Sequence, residues 1–277
     1  MSKILNFIKI LSRFAASAVA CVIAAQPASA LTDCAELPSY TEAQDAIIAA
    51  QGQSNGGFGL NMWITIVNRD GEVCAVAFSG DDRGDQWPGS RVISAQKAST
   101  ANSFSLPVLA LSTANLWAAT QPGGSLFGLQ FSNPVDTAVA YGDKSGQHRG
   151  SKADNYGQAH DTMVGEIVGG VNVFGGGLAL YDAQGTLVGA LGVSGDSSCA
   201  DHNIAWRARD YLGLDYLPAG SNDNIAFDLA DDGNGHLVSA GGFGHPKCGV
   251  GADDGVDNAQ VVNDCPFGDG ITANCNP

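Results

Sequence analysis

Two stretches of the chain, ITIVNRDGEVCAVAFSGDD (Ile64 to Asp82) and LALYDAQGTLVGALGVSGDS (Leu178 to Ser197), share one design. Each sets apolar, partly β-branched runs on either side of a polar tetrad closed by glycine. The tetrads are Asn68-Arg69-Asp70-Gly71 and Asp182-Ala183-Gln184-Gly185, and both stretches end in Ser-Gly-Asp. Short apolar runs around such a turn read as β-hairpins. The second copy aligns with the first only after one inserted residue, as a β-bulge produces. Each hairpin is followed by a segment at helical spacing, SRVISAQKASTANSF after the first and ADHNIAWRARDYLGL after the second. In the latter, Ile204, Ala205, Ala208, Tyr211 and Leu212 form an apolar stripe, Asp201 falls near the N-cap, and Gly213 suits the position after the helix. Two hairpin-plus-helix units predict an α+β fold, an antiparallel sheet of about five strands with flanking helices in a layered sandwich.

Local signals predict two further helices and one long aperiodic stretch. Thr41-Glu42-Ala43-Gln44 has the form of a capping box, and Ala43, Ile47 and Ala50 share a face, so a helix is expected over Glu42 to Gln51. Another is expected over Val108 to Ala119. From Thr120 to Gly170 the chain is polar, with little periodicity, and a stretch of that length is functional or mobile.

The first thirty residues read as an export signal. Lys3, Lys9 and Arg13 form a basic region, Phe14 to Ala25 an apolar one, and Ala28-Ser29-Ala30 a cleavage site. The organisation is then residues 1–30 as signal peptide, 31–218 as the α+β domain and 219–277 as a Gly/Asp/Asn-rich, disulfide-stapled extension. Residues 219–277 hold too few apolar side chains for a core of their own. The expected location is periplasmic or extracellular, and no other stretch is long and apolar enough to span a bilayer.

The formal net charge is −15, and loss of the three signal-peptide cations takes it to −18. So acidic a surface excludes nucleic acid and anionic lipid as partners, since both need basic patches. Cys34, Cys74, Cys199, Cys248, Cys265 and Cys275 remain after export, an even number for an oxidising compartment. The expected pairs are Cys34–Cys74, Cys199–Cys248 and Cys265–Cys275. No C-x-x-C pair is present, which lowers the case for zinc.

Several chemical motifs fail on inspection. Gly192-Val193-Ser194-Gly195-Asp196 is not the G-x-S-x-G of a nucleophile elbow. Gly189, Gly192 and Gly195 have the wrong spacing for a dinucleotide loop. Ser94-Ala95-Gln96-Lys97 matches S-x-x-K without its companion motifs. ADDGVDNAQVVND is acidic enough for calcium but reads as a solvated turn region. His202 lies near a helix N-terminus, where the dipole disfavours its protonated form and leaves a nitrogen lone pair for a metal. His148 and His160 lie in the long polar stretch. Lys97 either anchors an anionic group or extends its ammonium to water.

AQKASTANSF, with Lys97-Ala98 and Ala101, and NVFGGGLALYDAQGTLVGALGVSGDSSCADHNIAWRAR, with Phe174-Gly175-Gly176 and Gly189 to Gly195, together resemble the GlcG/HbpS family of haem-binding proteins. The resemblance covers about Glu42 to Leu214 and departs from the family in the long central loop and the cysteine-bearing tail. It implies a sandwich fold, homo-oligomerisation and binding of haem or another small flat ligand. The expected function is therefore an exported haem-binding or haem-sensing protein without catalytic turnover. Two alternatives stay open: a small-molecule enzyme or accessory factor of oxidative metabolism, and a ligand-free structural oligomer. The candidate pocket has Lys97 for a propionate, Phe104 and Phe174 for ring packing, Gly175 and Gly176 for space, and His160 or His202 as metal ligand.

Overall fold

The structure, a computed structural model, describes residues 33–142, 153–249 and 254–265. The expected signal segment, His148 and Cys275 lie outside the described residues. The elements in order are α1 (Tyr40–Gln51), β1 (Trp63–Asn68), β2 (Val73–Phe78) and α2 (Ser90–Phe104). Three one-turn helices follow: α3 (Trp117–Thr120), α4 (Leu129–Ser132) and α5 (Thr137–Tyr141). Then come β3 (Gly177–Tyr181), β4 (Leu187–Ser194), α6 (Ser198–Tyr211), β5 (Leu229–Asp231), β6 (Leu237–Ser239) and α7 (Asp254–Asp264).

Four strands form one antiparallel sheet in the order β2-β1-β4-β3, and β5 pairs with β6 in a separate two-stranded sheet. The main sheet thus has one strand fewer than expected. Both predicted hairpins form, and each carries a register shift, between Ile66 and Val67 in one and between Leu180 and Tyr181 in the other. The two hairpins join through β1 and β4, Trp63 facing Ser194 and Asn68 facing Gly189.

The sheet is covered on both faces, so both sets of alternating side chains are apolar. Ile64, Ile66, Leu178, Leu180, Leu191 and Val193 pack beneath α1 and α6, against Ala46, Ile47, Ala205 and Ala208. On the other face Trp63, Val67, Val76, Phe78 and Ala190 meet Val92, Ala95, Ala98 and Ala101 of α2. The result is a helix–sheet–helix sandwich.

Local chemistry moved some boundaries. The capping box of α1 is Ser39 with Glu42, two residues earlier than expected: Ser39 N–H donates to the Glu42 carboxylate at 2.8 Å, and Glu42 N–H donates to Ser39 Oγ at 3.4 Å. A carboxylate accepts more strongly than the Gln44 amide would. The N-cap of α6 is Ser197 rather than a residue near Asp201. The helix expected over Val108 to Ala119 is replaced by a tight Leu106–Leu109 turn and a short 3₁₀ segment, Ala114–Leu116, leading into α3. Ser105 Oγ accepts from Leu111 N–H, and Ser112 Oγ accepts from Asn115 N–H. Such side chains offer the backbone a non-helical partner. ADDGVDNAQVVND is not a turn region, since most of it forms α7.

Part of the polar stretch is core. The Asp161 carboxylate accepts from Arg91 Nε at 2.8 Å, Gly157 N–H at 2.6 Å and Met163 N–H at 2.9 Å, and Tyr156 stacks on the Arg91 guanidinium. Both ions of the pair are buried, and Met163 and Val168 fill the space beneath α2.

Residues 219–249 bind to α6 through Asp223, which accepts from Arg209 at 2.6 and 3.0 Å, and through a Cys199–Cys248 disulfide. A second disulfide, Cys34–Cys74, ties the leader to β2. These are two of the three expected pairs, and Cys265 packs at the end of α7 beside Val261.

The glycines of β4 serve close packing. A Cβ on Gly192 would come within 2.0 Å of Ser94 O and 2.5 Å of Ala98 N in α2. Both are backbone atoms, so the helix itself would have to move. Gly192→Ala is therefore expected to cost about 1–3 kcal/mol or more, lowering Tm by roughly 2–12 °C in a chain of this size. Thermal denaturation followed by circular dichroism checks this, and an unchanged Tm would contradict the packing account.

Candidate functional site

The C-terminal end of β4 and the N-termini of α2 and α6 converge at one edge of the sandwich, where Ser90 Oγ and Ser194 Oγ are 3.2 Å apart. Beneath this point Lys97 and Asp201 form a buried ion pair. Lys97 Nζ donates to Asp201 Oδ2 at 2.6 Å and to Val193 O at 2.9 Å. The other Asp201 oxygen accepts from Gly195 N–H at 3.1 Å and Asp196 N–H at 2.8 Å. Lys97 comes from the α2 layer and Asp201 from the α6 layer, so the pair ties the two helical layers together at the strand end. Burial drives the Lys97 pKa down and lifts that of Asp201 to about 6, each partner's charge opposing the other's shift.

Asp196, the last residue of the second Ser-Gly-Asp, accepts from Phe58 N–H at 2.8 Å and Leu60 N–H at 3.0 Å. This fixes the loop after α1 over the same edge. The Phe174-Gly175-Gly176-Gly177 strap closes the other side. Gly175 N–H donates to Ser198 Oγ at 2.6 Å, and Thr113 Oγ1 donates to Phe174 O and accepts from Gly177 N–H. A Cβ on Gly175 would lie 2.4 Å from Ser198 O, and one on Gly176 2.4 Å from Val193 O. These two glycines give the strap room against α6 and β4, and leave no gap for a ligand.

Between these parts lies a cavity of about 210 Å³. Trp87, Ile93 and Phe174 form its apolar wall, Ser90, Ser194 and Ser198 supply hydroxyls, and Asp196 and Asp201 supply carboxylates. Trp87 and Phe174 are each about half exposed at its mouth. A larger groove of about 650 Å³ between residues 108–115 and 219–243 has Asp228 as its one ionisable lining residue. That carboxylate already accepts from Ser239 Oγ and Gly241 N–H. Unlike that groove, the smaller cavity gathers hydroxyls and carboxylates around aromatic side chains.

Of the residues expected from sequence to bind a ligand, Phe174 alone lines this cavity. Lys97 lies just behind Asp201, fully buried, and its ammonium does not reach water. Phe104 ends α2 and is partly buried, away from the lining. His160 is exposed, in the loop before Asp161. His202 is on the second turn of α6, fully buried beneath the Gly175 backbone and against Trp206. Neither of its ring nitrogens makes a hydrogen bond within normal geometry. Burial, aided by the cationic Arg209 and to a lesser degree by His245 and Lys97, pushes its pKa down to about 3, with Asn224 opposing. Trp87, Asp196, Ser198 and Asp201 were missed as site residues. For Asp196 and Ser198 the signal was the second Ser-Gly-Asp, which ends β4 just before α6 begins; Trp87 and Asp201 carried no such signal.

The fold is thus an antiparallel sandwich with a buried Lys–Asp pair under a small, aromatic-rimmed cavity. The chain belongs to the family described as haem degrading protein HbpS-like, whose model matches residues 39–210. No curated protein matches it significantly. Among solved structures it is similar to the PduOC:haem complex, at 22% identity and a TM-score of 0.41, covering 63% of this chain and 91% of that one. It is also similar to Klebsiella pneumoniae protein ORFY (23%, TM-score 0.40, 63% and 90%) and to HbpS (18%, 0.39, 67% and 92%).

Two outcomes follow from the buried charges. Lys97→Met leaves the Asp201 carboxylate buried without its cation, at an expected cost of about 3–5 kcal/mol. Protonation of Asp201 relieves that cost, so in urea denaturation the deficit is expected to be smaller at pH 5 than at pH 8. His202 has a folded pKa below its unfolded value, so its contribution is full above about pH 6.5 and declines as pH falls toward 3. Asp201, raised to about 6, works in the opposite direction between its unfolded value and 6. The difference between wild type and His202→Phe isolates the histidine. Wild type is expected to lose stability relative to that variant by up to about 1.4 kcal/mol per pH unit below 6.5, and a constant difference from pH 7 to 4 would contradict the neutral, buried imidazole.

Proposed function

We propose that the protein is an exported haem-binding or haem-sensing protein that takes the edge of a haem, or of a related flat tetrapyrrole, between Trp87 and Phe174. The observation that carries this reading is the HbpS-like family match, which spans α1 through most of α6 and so includes every residue of the cavity wall. The two exposed aromatic side chains suit the face and edge of a macrocycle. A cavity of about 210 Å³ is below the usual range of about 300–1,000 Å³ for sites that enclose a ligand of drug size. An edge enters and the rest of the ring stays outside.

The polar lining fits a haem less well. None of the lining residues is His, Cys or Met, and none is Lys or Arg. Lys97 is committed to Asp201, and His202 is sealed behind Gly175. The chain's own residues here therefore grip the ring plane and supply neither an iron ligand nor a partner for the propionates. Export is supported by the sequence of the first thirty residues and by the Cys34–Cys74 and Cys199–Cys248 bonds, which persist in an oxidising compartment.

Hemin titration of the purified chain is expected to give a saturable Soret change. Trp87→Ala and Phe174→Ala are each expected to weaken binding by about 1–2 kcal/mol, roughly a five- to thirty-fold rise in Kd, while His160→Ala leaves it unchanged. Absence of a saturable change would overturn the haem reading. Equal affinity in the two aromatic variants would overturn the site.

A further inference from the structure

We propose that Ser198 and His245 form a nucleophile–base dyad that opens onto the cavity and cleaves small uncharged carboxylic esters. Ser198 Oγ lies 2.8 Å from His245 Nε2. His245 Nδ1 lies 2.7 Å from the Pro246 carbonyl oxygen, which can only accept. Nδ1 therefore carries the imidazole proton, and Nε2 accepts the Ser198 hydroxyl proton. That is the tautomer a general base needs, with the base oriented by a third group. The ring is buried, with its edge toward Trp117, and His245 N–H donates to Ala226 O, so its position is fixed.

Two features hold the hydroxyl and the base together. The Cys199–Cys248 disulfide joins the residue after the serine to the residue three past the histidine. With both sulfurs in that bond, the Cys199–His245–Cys248 cluster has no thiolates to offer a metal. Gly175 N–H donates to Ser198 Oγ, directing the hydroxyl while leaving it a lone pair. Ser198 is partly exposed and lines the cavity, unlike His245 behind it. It opens the fourteen-residue α6, whose N-terminal dipole favours negative charge developing beside it.

The chemistry balances with water as co-reactant. Ser198 Oγ bonds to the acyl carbon as its proton passes to His245 Nε2. The acyl–oxygen bond then breaks, and the alcohol leaves with that proton. Water attacks the acyl-serine, giving one proton to His245 and leaving as the carboxylic acid, while Ser198 Oγ regains a proton from Nε2. Specificity follows from the walls. Trp87, Ile93 and Phe174 take an apolar group, Asp196 repels anions, and the volume admits only a small ester.

The test uses the full, oxidised, haem-free chain with a fluorophosphonate probe and with 4-nitrophenyl acetate. Ser198 Oγ should displace fluoride and carry the phosphonyl group, located by peptide mapping at one label per chain. The ester should be hydrolysed with a burst. Ser198→Ala should abolish both signals, and His245→Gln should slow labelling about 100-fold or more. A Cys199→Ser/Cys248→Ser double variant should slow it as well. Failure of the wild-type chain to label at Ser198 overturns the proposal whatever the variants do, as does equal labelling of folded His245→Gln. A hydrogen bond that only tied residues 242–249 to α6 would alter Tm in these variants and leave the wild type unlabelled.

Discussion

The Lys97–Asp201 pair is the interaction on which the arrangement of this edge depends. Lys97 belongs to a helix on one side of the sheet and Asp201 to a helix on the other. For them to meet, the strands between must leave space. Gly177 and Gly192 face each other in the β3–β4 register, and a Cβ on either would strike α2 backbone, Lys97 O in one case and Ser94 O in the other. The facing glycines let α2 sit close enough for its lysine to pass the strand end. The remaining lone pairs of Asp201 then hold the Gly195-Asp196 turn, Asp196 holds the loop at Phe58, and Ser197 begins α6. A buried pair of this kind adds little stability compared with an apolar replacement of the same shape. Its effect here is to fix where two helix N-termini and a turn meet.

Much of the fold was legible in the sequence because it depends on near neighbours. Both hairpins follow from short apolar runs around Asn68–Gly71 and Asp182–Gly185, and α2 follows from the spacing of Val92, Ala95, Ala98 and Ala101. The first helix was recognised, although its cap lies at Ser39. The segment from Val108 to Ala119 was misread because helical spacing says nothing of Ser105, Ser112 and Asn115, whose side chains capture the local backbone.

The site was legible only in part, because its contacts are distant in sequence. Lys97 was singled out, but its partner is 104 residues away, and without that partner its role was read as facing a ligand or water. His202 is a histidine near a helix start, a position that alone says nothing of its depth. Its depth depends on Gly175, which lets the strap close over it. Ser198 fits no nucleophile motif, since its histidine is 47 residues downstream, in the extension beyond the family match.

The two Ser-Gly-Asp endings show how one short motif acquires two roles from its surroundings. After the first hairpin, Ser79 Oγ accepts from Met62 N–H, and Asp81 stays exposed above the loop held by Asp85. After the second, Ser194 Oγ donates to Ser90 Oγ beside the cavity, and Asp196 is buried against Phe58 and Leu60. The difference lies in what each strand meets. β2 is a sheet edge, whereas β4 is central and ends where α2 and α6 both begin. Two helix starts, two buried carboxylates and three hydroxyls are thereby gathered around one opening. The repeated hairpin explains the sheet, and the asymmetry of its two ends explains why the second one borders the aromatic-rimmed cavity.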